Sequence, residues 1–503
     1  MLNNLKSTVK DTLIYSVGNL STKLVGFILI PLYTTKLTTQ EFGIYGILEA
    51  TSQVIVALLG LGLYNAFYRW YWDKEYSEKK KSMFFTILVA VFVFSILFVW
   101  LLTRFSGSIS SLLFDSNNFT SLVNLMLINT ALEAVGIIPA TLLRLQQKSL
   151  MYSVTYMIKF VTNLIFAVYF VKYLNLNIEG IYQALIIGNV VYLLVLSRFV
   201  FKNIEIKFEP VLLNGMLKFG IPLVFSSMIG VLFNMTDRFS LRFLKDLSDV
   251  GVFSLGFKIA NTLKVFIVAS INMALWPMIF KMMDKPENKR FYSKMLTYIA
   301  FSMAIMVLGM SFFGKEIIKL LAKQTAYYDS FKVIPIVSFS IFFGMLRDIS
   351  FIGFHISKKT KIIATLMLIS FFINVGFNVL LIPPFGIIGA AAATSVTQLI
   401  MFGVAYRYAQ KQYFIPYEIV KVIKVLLVTL VLIIISYPVN NLDPLIRIII
   451  KVLLLGSFPL ILSIFNFYEK IELERISGAW RKWKNPLHWK KNLTELINQK
   501  DES

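Results

Sequence analysis

The sequence is divided into apolar blocks of about 20 residues, the length a helix needs to cross roughly 30 Å of hydrocarbon. Alternating strands of about ten residues, the mark of an outer-membrane barrel, are absent. The chain therefore reads as an all-α, polytopic integral membrane protein. Composition agrees, because 57% of its 503 residues are hydrophobic and only 15% are charged, whereas soluble domains carry roughly 45–50% and about 25%. The apolar runs between charge clusters place spans at 13–33, 43–67, 83–103, 119–141, 151–171, 178–200, 212–235, 250–276, 293–313, 332–354, 362–383, 387–407, 418–437 and 445–467. That makes about 14 transmembrane helices.

Lys and Arg number 50 against 27 Asp and Glu, a formal charge of +23. In a soluble chain such an excess would suggest nucleic acid. Here the basic residues gather in alternate short loops, at Lys6 and Lys10, Arg69 and Lys79 to Lys81, Arg144 and Lys148, Lys202 and Lys207, Lys289 and Arg290, Lys358 and Lys359, Arg407 and Lys411, and the tail from Lys470. Assigning these to the cytoplasmic side explains the charge without a nucleic-acid partner and places both termini in the cytoplasm. The first block has no small-residue cleavage site, so it is expected to be a retained helix. The tail, 469–503, mixes Trp480, Trp483 and Trp489 with Arg and Lys. It reads as a basic segment held at anionic headgroups or as a solvated tail.

An internal repeat organises the spans. At an offset of 208 residues, Gln40-Glu41-Phe42-Gly43-Ile44-Tyr45 lies over Ser248-Asp249-Val250-Gly251-Val252-Phe253. At an offset of 209, Glu179-Gly180-Ile181 lies over Ile388-Gly389-Ala390. The reading is two parallel six-helix lobes, 1–207 and 208–412, then two extra transmembrane helices in 413–468 and the basic interfacial tail. Lobes with an even number of helices insert in the same orientation and enclose a cavity where they meet, which favours a transporter working by alternating access.

Ionisable side chains within spans are costly and mark pathways by default. Lys23 lies near the middle of helix 1 with Asn19 one turn earlier and Gly26 three residues later, a polar, small-residue stripe suited to a cavity face. Lys258 and Lys264 in helix 8 flank Asn261, three residues from each. Glu49 and Glu133 read either as carriers of a coupling proton or as neutral hydrogen-bonding groups in helix packing. Arg347 and Asp348 are adjacent, about 100° apart around a helix, and are expected to pair with other helices rather than with each other. Asp237 and Arg238, with Arg242, Lys245 and Asp246, read as a charged loop ending helix 7, and Lys159 as a structural lysine. Pro31 and Pro222, in the matching first helices of the lobes, offer places to bend.

No enzyme is expected. Cys is absent and His355 and His488 are the two histidines, so no thiolate or histidine metal cluster can be assembled. Nor is there a phosphate-cradling Walker sequence, or an outer loop long enough for a catalytic site. No cofactor is called for beyond coupling to a proton or sodium gradient.

The stretch Asn19-Leu20-Ser21-Thr22-Lys23-Leu24-Val25-Gly26-Phe27, followed by Phe42-Gly43-Ile44-Tyr45, Leu61-Gly62-Leu63 and Arg69, resembles the opening of the Wzx-type polysaccharide flippases of the multidrug/oligosaccharidyl-lipid/polysaccharide (MOP) exporter superfamily. Thr236-Asp237-Arg238 with Gly251-Val252-Phe253-Ser254, and Asn374 with Gly386-Ile387-Ile388-Gly389-Ala390-Ala391, extend the resemblance over about the first 410 residues. It implies a flippase moving undecaprenyl-diphosphate-linked oligosaccharide across the bacterial cytoplasmic membrane for O-antigen or capsule synthesis. Membrane lipids, a polysaccharide polymerase and a chain-length regulator are the implied partners. Lys23 lies where related lipid II flippases carry a basic residue, but Phe27-Ile28-Leu29-Ile30-Pro31 stands where they have a further Arg-Asp pair, which weakens a lipid II reading. In this scheme Lys23, Lys258 and Lys264, with Asn19 and Asn261, face the diphosphate. A cation-coupled multidrug exporter is the nearest rival, disfavoured because the midplane charges are mostly basic. A membrane polymerase would need a large outer loop.

Overall fold

A computed structural model describes residues 26–474, apart from positions 269, 270, 272–274, 276, 277, 280, 284 and 360, together with position 478. Most of the first predicted span, with Asn19 and Lys23, and nearly all of the Trp-rich tail lie outside the described residues. The regular elements described are all helical. They are α1 (Ile30–Lys36), α2 (Thr39–Leu59), α3 (Leu63–Trp70), α4 (Lys80–Arg104), α5 (Ser106–Phe114), α6 (Thr120–Leu145), α7 (Ser149–Ala167), α8 (Asn177–Asn203), α9 (Pro210–Leu244) and α10 (Leu247–Ala260). Then follow α11 (Asn288–Leu321), α12 (Val333–Ser350), α13 (Ile352–Ile356), α14 (Lys361–Gln412), α15 (Ile419–Val439) and α16 (Pro444–Ile464), with short 3₁₀ and π segments between some of them.

Among the described residues, 11 helices are long and apolar enough to cross a membrane. One of these, α14, holds two of the predicted spans. It divides at Gly386, whose φ of 54° and ψ of −129° lie outside the helical region, just after Pro383 and Pro384. Two other spans differ from expectation. The block 43–67 is broken between α2 and α3, where Leu61 and Gly62 take positive φ, a conformation that costs glycine little. The block 250–276 loses its α-helical form after Ala260, and Lys264–Val268 continues as a π-helix. Such π segments widen the turn and are frequent at functional sites.

The starts of α2 and α10 are capped in similar ways. Thr38 caps α2 by accepting from the Glu41 backbone N–H at 3.2 Å, while the Glu41 carboxylate accepts from the Thr38 N–H at 2.8 Å. Asp246 caps α10 by accepting from the Asp249 N–H at 2.8 Å. The cap residues, and the acidic residues three positions on, are each 208 residues apart. Both ends thus satisfy otherwise unpaired N–H groups and set a negative charge against the helix dipole.

The chain forms two compact units, Met1–Lys289 with Phe313–Ile415, and Arg290–Phe312 with Pro416–Ser503. In the second, α15 and α16 form a hairpin begun by Pro444 at the first turn of α16. The Phe301 ring of α11 stacks on Phe458 and Phe467 at 5.6 and 5.7 Å. Lys294 bridges Glu418, at 2.9 Å, and Glu469. The candidate site lies wholly in the first unit.

Candidate functional site

Within the first unit, α2 and α10 touch backbone to backbone. A Cβ on Gly43 would collide with the Leu247 carbonyl, and one on Gly251 with the Thr39 carbonyl. These residues correspond across the 208-residue offset, so the contact is reciprocal. The Thr39 and Ser248 hydroxyls hydrogen-bond beside it at 2.6 Å. The same end is held by the Tyr327 hydroxyl, 3.0 and 2.9 Å from the Leu37 and Thr38 carbonyls, and by Gln324, which donates to the Thr35 and Leu37 carbonyls. Arg242 adds an ion pair to Asp115 at 2.5 Å. Past the far end of α2, Gly62 meets the backbone of Gly220 on α9. The seam where α2 and the residues after it meet α10 and α9 is pinched at both ends.

Between the two pinches is a cavity of about 470 Å³. Glu49 and Gln53 reach it from α2, Asn234 and Arg238 from α9, and Phe257 and Lys258 from α10, with Asn261 and Lys264 from the break that follows. Lys258 Nζ pairs with Glu49 Oε1 at 3.3 Å and stands 5.0 Å from the centre of the Tyr45 ring. Arg238 is only 4% exposed; its Nε donates to Ser254 Oγ at 3.2 Å and its guanidinium lies 4.9 Å from the centre of the Phe257 ring. Lys264 Nζ donates to Asn234 Oδ1 at 3.5 Å. The charged residues on its described walls are therefore predominantly cationic, set among apolar ones such as Met235 and Phe257.

A smaller cavity of about 90 Å³ shares Asn234, Phe257, Asn261 and Lys264 with the larger one and adds Asp237, Arg347, Asp348, Thr394 and Gln398. Asp237 is 2% exposed. It accepts from Thr394 Oγ1 at 2.6 Å and from Asn378 Nδ2 at 3.0 Å, and Asn374 Nδ2 donates to Thr394 at 3.0 Å. Asn378 Oδ1 is buried without a hydrogen-bond partner among the described residues.

The structure brings Glu49, Lys258, Asn261, Lys264, Arg347 and Asp348 onto the walls of these two adjoining cavities. Gly26, on the stripe shared with Asn19 and Lys23, also lines the larger one; a Cβ there would stand 3.8 Å from Lys258 Nζ. Glu133 is exposed on α6, and Lys159 lies 5.5 Å from the centre of the Tyr192 ring; neither is on the described walls of the cavities.

Two sequence expectations are corrected. Asp237 and Arg238 are not in a charged loop, because α9 continues to Leu244 and buries both inside the bundle. Arg347 meets the expected partner on another helix, its Nη1 donating to Gln398 Oε1 of α14 at 2.7 Å, but it also pairs with Asp348, its Nη2 lying 2.8 Å from Oδ1. The long Arg side chain folds back across the roughly 100° between neighbouring positions. Sequence reasoning missed Arg238, Gln53 and Asn234 as wall residues. Asn234 and Arg238 are four residues apart on one face of α9, a signal hidden once the helix was ended at 235.

The fold is that of an all-helical, polytopic membrane protein. A lipid II flippase, MurJ in an inward closed conformation, aligns with a TM-score of 0.74 at 16% identity, covering 91% of this chain and all of that one. An inward-facing multidrug resistance MATE family transporter of the MOP superfamily aligns at 0.62, again with 16% identity, over 79% of this chain and 94% of its own. At such identities the likeness is one of fold. Residues 8–283 match the polysaccharide biosynthesis protein family, and the chain belongs to it. Relatives include a membrane protein of Methanocaldococcus jannaschii, 23% identical over 408 residues, 75% of this chain and 79% of that one. Another, from Haemophilus influenzae, is 22% identical over 294 residues, 56% and 68% of the two chains.

Proposed function

We propose that the protein is an alternating-access flippase that carries an undecaprenyl-diphosphate-linked oligosaccharide from the inner to the outer leaflet of the bacterial cytoplasmic membrane, for assembly of a surface polysaccharide such as O-antigen or capsule. The observation that carries this reading is the chamber at the seam, where Arg238, Lys258 and Lys264 outnumber Glu49. A diphosphate and its sugars cannot enter hydrocarbon without losing their hydration. Cationic walls offset that loss, while the polyprenyl tail remains in lipid. Membership in a polysaccharide biosynthesis family supports the same cargo. The 1–207 and 208–412 lobes would rock about the seam with both termini in the cytoplasm, and a polymerase and chain-length regulator would take up the product outside.

Deleting the gene in its host should cause undecaprenyl-linked repeat units to accumulate on the cytoplasmic leaflet, as read by lipid mass spectrometry. Accumulation of lipid II would instead assign the cargo of the lipid II flippases. Drug hypersensitivity with an unchanged lipid profile would support the multidrug exporter, a reading disfavoured by the basic walls.

Turnover also needs a driving force. Asp237, with Asn374, Asn378 and Thr394 around it, offers a buried carboxylate and an unpartnered amide oxygen, donors suited to a proton or a hard cation such as sodium. Flipping in proteoliposomes should accelerate with an imposed gradient of one of these ions. Asp237→Asn should remove that acceleration, and an acceleration retained in full would exclude Asp237 as the coupling site.

A further inference from the structure

Resting on the flippase reading, we infer that Glu49 is an internal competitor for the substrate's diphosphate, a residue that sets how readily the cargo is released. Glu49 is on α2 in the first copy of the repeat and Lys258 on α10 in the second, so their 3.3 Å pair joins the two sides of the seam inside the chamber. Both side chains are partly screened from solvent, with 30% and 18% of their surface exposed. Lys258 is held in place by the Tyr45 ring, and the missing side chain at Gly26 leaves open space beside its Nζ. An anion arriving there meets a lysine already engaged by a carboxylate.

Charge balance gives that carboxylate its purpose. Among the described wall residues, Glu49 is the one carboxylate set among the cations Arg238, Lys258 and Lys264. A diphosphate esterified at both ends carries one negative charge on each phosphate, so it competes with the Glu49 carboxylate for Lys258. Without Glu49 the loaded chamber would carry one more positive charge, and in a water-poor site that added attraction holds the ligand more tightly. A transporter gains nothing from a cargo it cannot release. Glu49 returns to Lys258 as the diphosphate leaves, replacing one anion with another so that the lysine is never stripped of a partner.

The test uses the full chain in nanodiscs and two probes, a polyprenyl-diphosphate-linked monosaccharide and the corresponding monophosphate-linked sugar. Glu49→Gln should bind the diphosphate probe about tenfold more tightly and release it about tenfold more slowly. Adding Lys258→Gln to Glu49→Gln restores the original net charge and should abolish the added tightness and the slowed release of the single variant. Equal or weaker binding by Glu49→Gln, or a double variant that stays as tight as the single one, overturns the assignment of Glu49. If the unmodified protein binds the two probes equally, the flippase reading falls and takes this inference with it. A diphosphate preference left unchanged by Glu49→Gln removes the inference alone.

Discussion

A Gly43→Val variant should lose flipping by more than about tenfold while its level in the membrane is maintained. At Gly43 the first atom of any side chain would overlap the Leu247 carbonyl, and Gly251 meets the Thr39 carbonyl in the same way. The obstacle is backbone, which cannot rotate aside as a flexible side chain can. Overpacking of this kind costs about 1–3 kcal/mol, and each 1.4 kcal/mol is about tenfold in an equilibrium. That cost falls on the state in which α2 and α10 touch, so conformations with this end open gain population. A direct reporter is available because the chain has no cysteine. Thr39→Cys with Ser248→Cys replaces two hydroxyls that lie 2.6 Å apart, and oxidative cross-linking of the pair should fall in the Gly43→Val background. Cross-linking and flipping at unmodified levels would show that the glycine contact is not part of the cycle.

The second large effect is expected at Arg238. Arg238→Gln removes a guanidinium that is 4% exposed and set between Ser254 and the Phe257 ring. Because its position is fixed before any ligand arrives, little side-chain entropy is lost when it meets a phosphate. Truncating one partner of a buried charge pair typically costs about 2–5 kcal/mol, so binding of the polyprenyl-diphosphate-linked sugar should weaken by about a hundredfold. Lys159→Gln is the comparison, since that lysine lies over the Tyr192 ring and off the described chamber walls. It should leave binding within about twofold. Equal losses in the two variants would mean that general membrane charge, and not the chamber, attracts the substrate.

The residues legible in the sequence were those whose meaning is local. Asn261 between Lys258 and Lys264 pointed to a wall of the chamber because helical spacing alone places them together. Glu49 was recognisable as a costly charge in an apolar span, but its attachment to Lys258 joins positions 209 residues apart and has no local signal. Asp237 and Arg238 were misplaced because charged residues near a span's end resemble a loop by hydropathy. Only neighbouring helices that supply Thr394, Asn378 and Ser254 make it possible to continue the helix through them. Arg347 and Asp348 were judged by the direction of their Cα–Cβ bonds, and a long, flexible arginine is not confined to that direction.

The sequence by itself determined that the chain is helical and crosses a membrane many times, because lipid demands that each spanning segment be apolar and satisfy its own backbone. It also carried the 208-residue correspondence between the starts of α2 and α10, whose capping and close-packing residues recur at that offset. Which charges face one another across the seam, and that glycines pinch its two ends around a polar chamber, were decided by the tertiary structure. Those contacts depend on the approach of helices far apart along the chain, and no spacing within a single helix encodes it.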